Sequence, residues 1–297
     1  MQKNTKLNFI FFGTPDVASE TLEILKENGY IPSLIVTSPD KPQGRKMIIT
    51  PPPVKVWAEK NNIPYTQPEK LDGDFWDVLR TLGRSVDDGQ RKSSAEDFRG
   101  EQNIPEVSVV VAYGKIMPEE ILNMPKFGSI NIHYSLLPKY RGASPVESAI
   151  LNGDEETGVT IQKMEFKMDS GTIITQEKVE ILPDEKAGEL RTRLIKMGGE
   201  LLVKTLPDFV DGKIISIPQD ETLATHCKKI KKEDGLIDLN DDGIKNYNKF
   251  RAYATWPRTF FFKNEKRVII TKAKLEDNKF IIERVIPEGG RETEWKN

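Results

Sequence analysis

Three side chains in this sequence are suited to chemistry at one centre: the amide of Asn131, the imidazole of His133 and the carboxylate of Asp169. Together they offer groups that donate, hold and exchange protons. Asn131-Ile132-His133 ends the short apolar run 128–133, and residues two apart in a strand face the same side, so amide and imidazole point together. A loop follows at once, Ser135-Leu136-Leu137-Pro138-Lys139-Tyr140-Arg141-Gly142, its path fixed by a proline and a glycine. Asp169 stands in the tight turn Asp169-Ser170-Gly171, from which a carboxylate can close on the imidazole. A solitary strand-end histidine is more often a satisfied structural residue. The pairing with Asn131, the loop and the aspartate turn move the reading toward catalysis.

The elements around these residues predict how they are positioned. An apolar run over Lys6–Phe12 reads as a strand, ended by Gly13-Thr14-Pro15, and Asp16 is expected to cap a helix over Val17–Asn28 that Gly29 stops. Ile31–Val36 reads as a strand, Ser38–Pro53 as a proline- and glycine-rich loop, Val54–Asn61 as a short helix and Ile63–Tyr65 as extended. The continuously apolar Val107–Ala112 predicts a buried strand, and Pro118 opens a short helix through Met124. Further strands are expected at Gly128–His133, Gly158–Phe166 and Thr172–Gln176, and a long amphipathic helix at Ala187–Leu206. Alternating strands and helices predict an α/β, Rossmann-like, mostly parallel sheet with flanking helices. Its ligands belong at the carboxyl ends of the strands, where Asn131 and His133 stand. The polar stretch 82–105 has neither period and reads as a surface insertion. After Leu206 come short β pieces at Lys213–Ile217, Thr259–Phe262, Arg267–Thr271 and Lys279–Arg284, with no further long helix expected. The domains are then 1–205, a linker 206–222, and a smaller β-rich domain 223–297.

Composition excludes several classes. Of the 297 residues, 37% are hydrophobic and 30% charged, as in a globular protein. No apolar stretch approaches the roughly 18 residues of a spanning helix, and Phe9–Phe12 is too short for a secretory signal, so a cytoplasmic protein is expected. One cysteine, Cys227, and two histidines allow neither an internal disulfide nor a usual zinc site, so no metal is expected. Gly13-Thr14-Pro15 lacks the three spaced glycines of a dinucleotide loop, and no Gly-Lys-Ser/Thr loop occurs. The net charge of −2 hides an asymmetry: residues 226–297 carry 17 Lys+Arg against 12 Asp+Glu, and the remainder 27 against 34. A basic tail on an acidic body suggests a polyanionic partner, with Lys228, Lys229, Lys231 and Lys232 as a phosphate-contacting edge.

Asn131-x-His133-x-Ser135-Leu136-Leu137-Pro138-x-Tyr140-Arg141-Gly142 with Met168-Asp169-Ser170-Gly171 resembles the folate-dependent formyltransferases. The resemblance runs through Phe12-Gly13-Thr14-Pro15, Pro39–Arg45, Pro53-Val54-Lys55, Gln67–Leu71, Val111-Ala112-Tyr113-Gly114, and Leu151–Asp154 to Thr157–Thr160. In the second domain, Lys229-Ile230-x-Lys232-Glu233-Asp234-Gly235-x-Ile237-Asp238 and Trp256-Pro257 are similar to the members that act on methionyl-tRNA. The resemblance implies Asn131, His133 and Asp169 as catalytic residues, and transfer of a formyl group from 10-formyltetrahydrofolate to the α-amine of methionyl initiator tRNA. It places Asn131 and a protonated His133 as donors to the developing oxyanion, with Asp169 holding the imidazole. It implies folate contact at Ser135, Leu136, Leu137 and Pro138, and tRNA contact at the loop Ser38–Thr50 through Lys41, Arg45 and Lys46. It also implies that the second domain is a small β-barrel of oligonucleotide-binding type. A monomer that works away from membranes is expected. A formyltransferase acting on the amine of a sugar nucleotide shares the catalytic elements, and a non-catalytic folate- or RNA-binding relative is the third reading. The sequence departs from the family in the long stretch 81–105 and in Arg258, where a glycine commonly follows the proline.

Overall fold

The computed structural model describes residues 7–44, 46–72, 75 and 104–296. Arg45 and nearly all of the polar stretch 81–105 therefore lie outside the described residues. Strand β1 (Phe9–Gly13) is buried along its whole length. Helix α1 (Asp16–Glu27) buries Ala18, Leu22 and Leu25 on one face. The expected Asp16 cap is corrected: Pro15 occupies the N-cap, and Asp16 lies in the first turn, where the helix dipole favours its charge. Gly29 ends the helix at φ +84°, a backbone position that suits glycine. Strand β2 is Leu34–Val36. The expected loop 38–53 instead contains an antiparallel ribbon of β3 (Lys41–Gln43) and β4 (Ile48–Thr50), an edge setting that tolerates Pro42.

The chain continues through α2 (Pro53–Asn61), β5 (Tyr65–Thr66), β6 (Val107–Val111), α3 (Glu119–Asn123) and β7 (Ser129–His133). Next come β8 (Arg141–Gly142), α4 (Pro145–Leu151), β9 (Glu156–Lys163), β10 (Ile173–Glu180) and α5 (Ala187–Val210). The central sheet has the order β10-β9-β7-β6-β1-β2-β5, with parallel pairing from β7 through β5. Successive strands leave β1 in one direction through β2 to β5 and in the other through β6 to β7. The reversal between β1 and β6 is the topological switch point at which open α/β sheets form a crevice.

Packing divides the chain into two compact units: Met1–Ile132 with Ile161–Thr175 and Gly198–Pro218, and His133–Thr160 with Gln176–Met197 and Gln219–Asn297. The first has a core of Ile10, Phe12, Val36, Val110, Tyr113 and Ile121, among others. In the second, β11 (His226–Cys227) is followed by α6 (Gly243–Ala252), β12 (Phe260–Lys263), β13 (Lys266–Glu276), β14 (Lys279–Pro287) and β15 (Thr293–Glu294). Strands β12 to β15 form a four-stranded antiparallel sheet in chain order, where the family resemblance implies a small barrel. Two-residue turns at Asn264-Glu265 and Asp277-Asn278, all four residues at positive φ, match the strand twist as type I′ turns do. Ile237, Tyr247, Phe250, Phe261, Val268, Ile270 and Val285 form the core beneath the sheet.

Two expectations for this region are corrected. Lys213–Ile217 is not a strand; only Ile217 bridges Ile173, and Ile215 is exposed. Helix α6 was not expected, because its buried face carries Asn246, Asn248 and Arg251 among the aromatics. Most of that polarity is satisfied internally, although the buried Arg251 Nε has no partner among the described residues: Asn246 Nδ2 donates to Asp238 O at 2.7 Å, and Arg251 Nη2 to Asn248 Oδ1 at 2.7 Å. The Asp242 carboxylate caps the helix by accepting from Lys245 N at 2.9 Å.

Candidate active site

Asn131 and Asp169 belong to the first unit. Asn131, half-buried on β7, donates one amide N–H to Val110 O at 3.2 Å across the parallel pair β6–β7. Its second N–H is left for another acceptor. Asp169 has a left-handed backbone, φ +52°, uncommon for a non-glycine residue and most tolerable for Asp or Asn. Its Oδ1 accepts from Gln162 Nε2 at 3.0 Å, which ties the carboxylate to β9, the sheet neighbour of β7. The turn needs Gly171: a Cβ there would stand 1.7 Å from Lys163 O. This hold by Gln162 was missed by sequence reasoning, because no spacing rule announces a strand glutamine facing a later turn.

At the switch point, Thr14 Oγ1 donates to Tyr113 O at 3.1 Å and lies 3.1 Å from Ser38 Oγ, tying together the segments after β1, β2 and β6. Gly13 allows close packing of strand on helix, since a Cβ there would meet the Ala18 Cβ at 2.6 Å. The Tyr113 hydroxyl is buried without a hydrogen-bond partner among the described residues, and burial pushes its pKa up to about 12.

His133 and the loop after it belong to the second unit. The imidazole is buried, and its Nε2 lies 2.9 Å from Tyr140 O. A carbonyl only accepts, so Nε2 carries the proton in this bond. Tyr140 presents that carbonyl from a left-handed backbone, φ +60°. Its hydroxyl donates to Asp154 Oδ2 at 2.8 Å, and burial, then that bond, pushes its pKa up to about 12.

The segment Ser135–Pro138 is rigidly held. Thr160 Oγ1 donates to Ser135 O at 2.6 Å and accepts from Leu137 N at 3.1 Å; Gln176 Nε2 donates to Leu137 O at 2.8 Å. Ser135 Oγ donates to Lys139 O at 2.7 Å, and Leu137 is buried, while Leu136 and Pro138 remain half-exposed. The segment therefore offers two apolar side chains on a backbone whose carbonyls are already engaged. Thr160 and Gln176, which do the holding, were not legible from the sequence.

Lys228, Lys229, Lys231 and Lys232 are all exposed and make no ion pair among the described residues, as do Lys41 and Lys46 on the β3–β4 ribbon. Within the second unit, the strand leading into the lysine run is bound directly to the loop after Ser135–Pro138. Strand β11 pairs in parallel with β8, and Ser144 Oγ donates to Lys228 O at 2.5 Å. Arg141, only 1% exposed, anchors the same stretch by donating to Gln219 Oε1 and Glu221 Oε1 at 2.8 and 2.7 Å. Sequence reasoning gave Arg141 no role. Among the described residues, no group of three or more His, Cys, Asp or Glu side chains could hold a metal, and no helix is long and apolar enough to cross a membrane.

Comparison with known proteins meets this geometry. The model of the formyl transferase family matches residues 5–206, and that of the formyl transferase C-terminal domain matches residues 229–289. A methionyl-tRNA formyltransferase of Halalkalibacterium halodurans is 42% identical over 260 residues, covering 88% of this chain and 76% of the relative. The solved methionyl-tRNA formyltransferase from Clostridium thermocellum superposes with a TM-score of 0.59 at 16% identity, covering 95% of this chain and 98% of that one. An N-formyltransferase from Helicobacter canadensis, in complex with folinic acid and dTDP-3-aminofucose, gives 0.66 at 17% identity, covering 98% and 100%. With an amide and an imidazole at the end of β7, a carboxylate held on β9 and both family models matched in order, this chain belongs to the formyl transferase family.

Proposed function

We propose that the protein formylates the α-amine of methionyl initiator tRNA, with 10-formyltetrahydrofolate as donor. The observation that carries this reading is the exposed lysine run, which makes no ion pair among the described residues and is fastened within one unit to the loop after His133. Bound formyl-tetrahydrofolate supplies the formyl carbon. Leu136 and Pro138 suit the flat face of its ring system, since their backbone has few acceptors left to give. The remaining Asn131 N–H donates to the formyl oxygen as it gains negative charge, the kind of preorganised donor worth most in such reactions. The amine nitrogen bonds to the formyl carbon as the bond from that carbon to the folate nitrogen breaks. His133, its Nε2–H held by Tyr140 O, helps pass the proton lost by the amine to the leaving folate nitrogen. Asp169, in this reading, holds the charged imidazole. Residues 1–205 form the catalytic domain, and 223–297 contribute tRNA contacts through Lys228, Lys229, Lys231 and Lys232. Lys41, Lys46 and the neighbouring Arg45 engage the acceptor end.

The test is incubation with 10-formyltetrahydrofolate and methionylated initiator tRNA, with detection of N-formylmethionine after deacylation. Product is expected. Its absence, with formylation of a sugar-nucleotide amine in a parallel reaction, would transfer the assignment to the second substrate class. No turnover on either, with folate still bound, would leave a binding protein.

A further inference from the structure

The His133 imidazole is bonded to the backbone carbonyl of Tyr140, and the same carbonyl has a second donor. Cys227 Sγ donates to Tyr140 O at 3.3 Å, beside the 2.9 Å bond from His133 Nε2. The other side of that residue is also held from the same strand, since Tyr140 N donates to Thr225 Oγ1 at 2.8 Å. Arg141 N donates to Thr225 O at 2.9 Å and Ala143 N to Cys227 O at 3.4 Å, while Ser144 N donates to Cys227 Sγ at 3.3 Å. The approach is close enough to dictate Gly142: a Cβ there would stand 2.2 Å from Cys227 O. Tyr140 needs such support, because its left-handed backbone is a conformation that the chain leaves unless its surroundings hold it.

We propose that Thr225–Cys227, the stretch leading into the lysine run, is a positioning element for His133, fixing the imidazole through the Tyr140 carbonyl. The inference rests on His133 being the catalytic imidazole, and deepens that reading. It makes the stretch that opens residues 223–297 part of the active-site machinery rather than a lead-in to the lysine run. Chain that binds the substrate's phosphates at Lys228 and Lys229 is thereby continuous with chain that sets the tautomer of the imidazole. Lys228 O itself accepts from Ser144 Oγ, so the register of the lysines against the loop is fixed as well.

The test uses the full chain and three variants: Thr225→Val, which keeps the shape and loses the acceptor; Cys227→Ala, which loses the thiol; and Thr225→Ser, which keeps an acceptor. Thr225→Val and Cys227→Ala are expected to lower kcat about 10-fold or more, with KM for the folate donor nearly unchanged, because they misplace a reacting group without touching folate. Thr225→Ser is expected to restore most of the rate. With two histidines in the chain, imidazole ¹⁵N spectra resolve His133 directly. They should show an Nε2–H tautomer in the parent and Thr225→Ser, and a tautomer mixture in the other two. Parent-like spectra and kcat in both Thr225→Val and Cys227→Ala overturn the proposal, as does Thr225→Ser being as damaged as Thr225→Val. If His133→Ala retains full turnover, the catalytic reading fails, while the spectra still decide whether the strand orients the imidazole. Should Cys227→Ala melt early, the near-isosteric Thr225→Val carries the test alone.

Discussion

At the scale of single residues, the proposed mechanism divides donor, proton carrier and charge among three side chains with different support. Asn131 has one N–H engaged and one left, so Asn131→Ala should remove a transition-state donor and lower kcat by roughly 10²-fold with little change in KM. His133→Ala should be at least as severe. Stopped assays at saturating folate check both, and near-parental turnover in either would remove that residue from the mechanism. Asp169→Asn isolates the charge, because asparagine accepts the left-handed backbone at φ +52° that most side chains resist. Its expected cost of roughly 10²-fold in kcat would therefore report lost charge and not lost shape; parental activity would make Asp169 a turn residue only. At this scale the strand that carries Asn131 and His133 was legible, since Asn131-x-His133 shares a strand face by periodicity alone. The sequence did not disclose Gln162, Thr160 or Tyr140 as supports. Those act through contacts set by sheet order and loop closure, which no local spacing encodes.

At the scale of elements, one turn and one exposed lysine run decide where charge can gather. The β9–β10 turn brings Gly171 so near Lys163 O that Gly171→Ala must displace the segment carrying Asp169. Such overpacking should cost about 1–3 kcal/mol and lower kcat together with the melting temperature; a variant with the parent's melting temperature and rate would show that the turn adapts freely. The lysine run makes a different prediction. Replacing Lys228, Lys229, Lys231 and Lys232 together by Ala should flatten the dependence of log affinity on log salt by roughly 0.7 to 0.9 per lost phosphate contact. An unchanged slope in filter-binding titrations with initiator tRNA would make these lysines ordinary solvated charges. Elements built on apolar periodicity were legible: β1, α1, β6 and α5 lie close to their expected bounds. Helix α6 was hidden because hydrogen-bonded Asn and Arg occupy its inward face. The β3–β4 ribbon was hidden because its residues are exposed, so no buried face imposed a period.

At the scale of the whole molecule, the order of the two family models was legible from motifs, but the packing units were not, because each gathers separate stretches of chain. Both units share one electrostatic property. Tyr113 in the first, and Tyr140, Tyr247 and Tyr253 in the second, each have a hydroxyl pKa raised from 10.0 to about 12, with burial as the largest cause in every case. Asp154 and Asp184 add to the rise by accepting from Tyr140 and Tyr247, at 2.8 Å each. Because these folded-state values exceed the unfolded one, the native state binds more protons once the unfolded chain begins to lose them. The stabilisation is fully present below the unfolded value of 10.0 and is lost as pH rises through about 12. The melting temperature should therefore hold level through neutral pH and fall between pH 10 and 12. Tyr140→Phe and Tyr253→Phe should each make that fall shallower, since phenylalanine keeps the ring and removes the ionisation. Thermal melts at intervals across this window decide the matter: a decline as steep in the Phe variants as in the parent would place the alkaline sensitivity elsewhere.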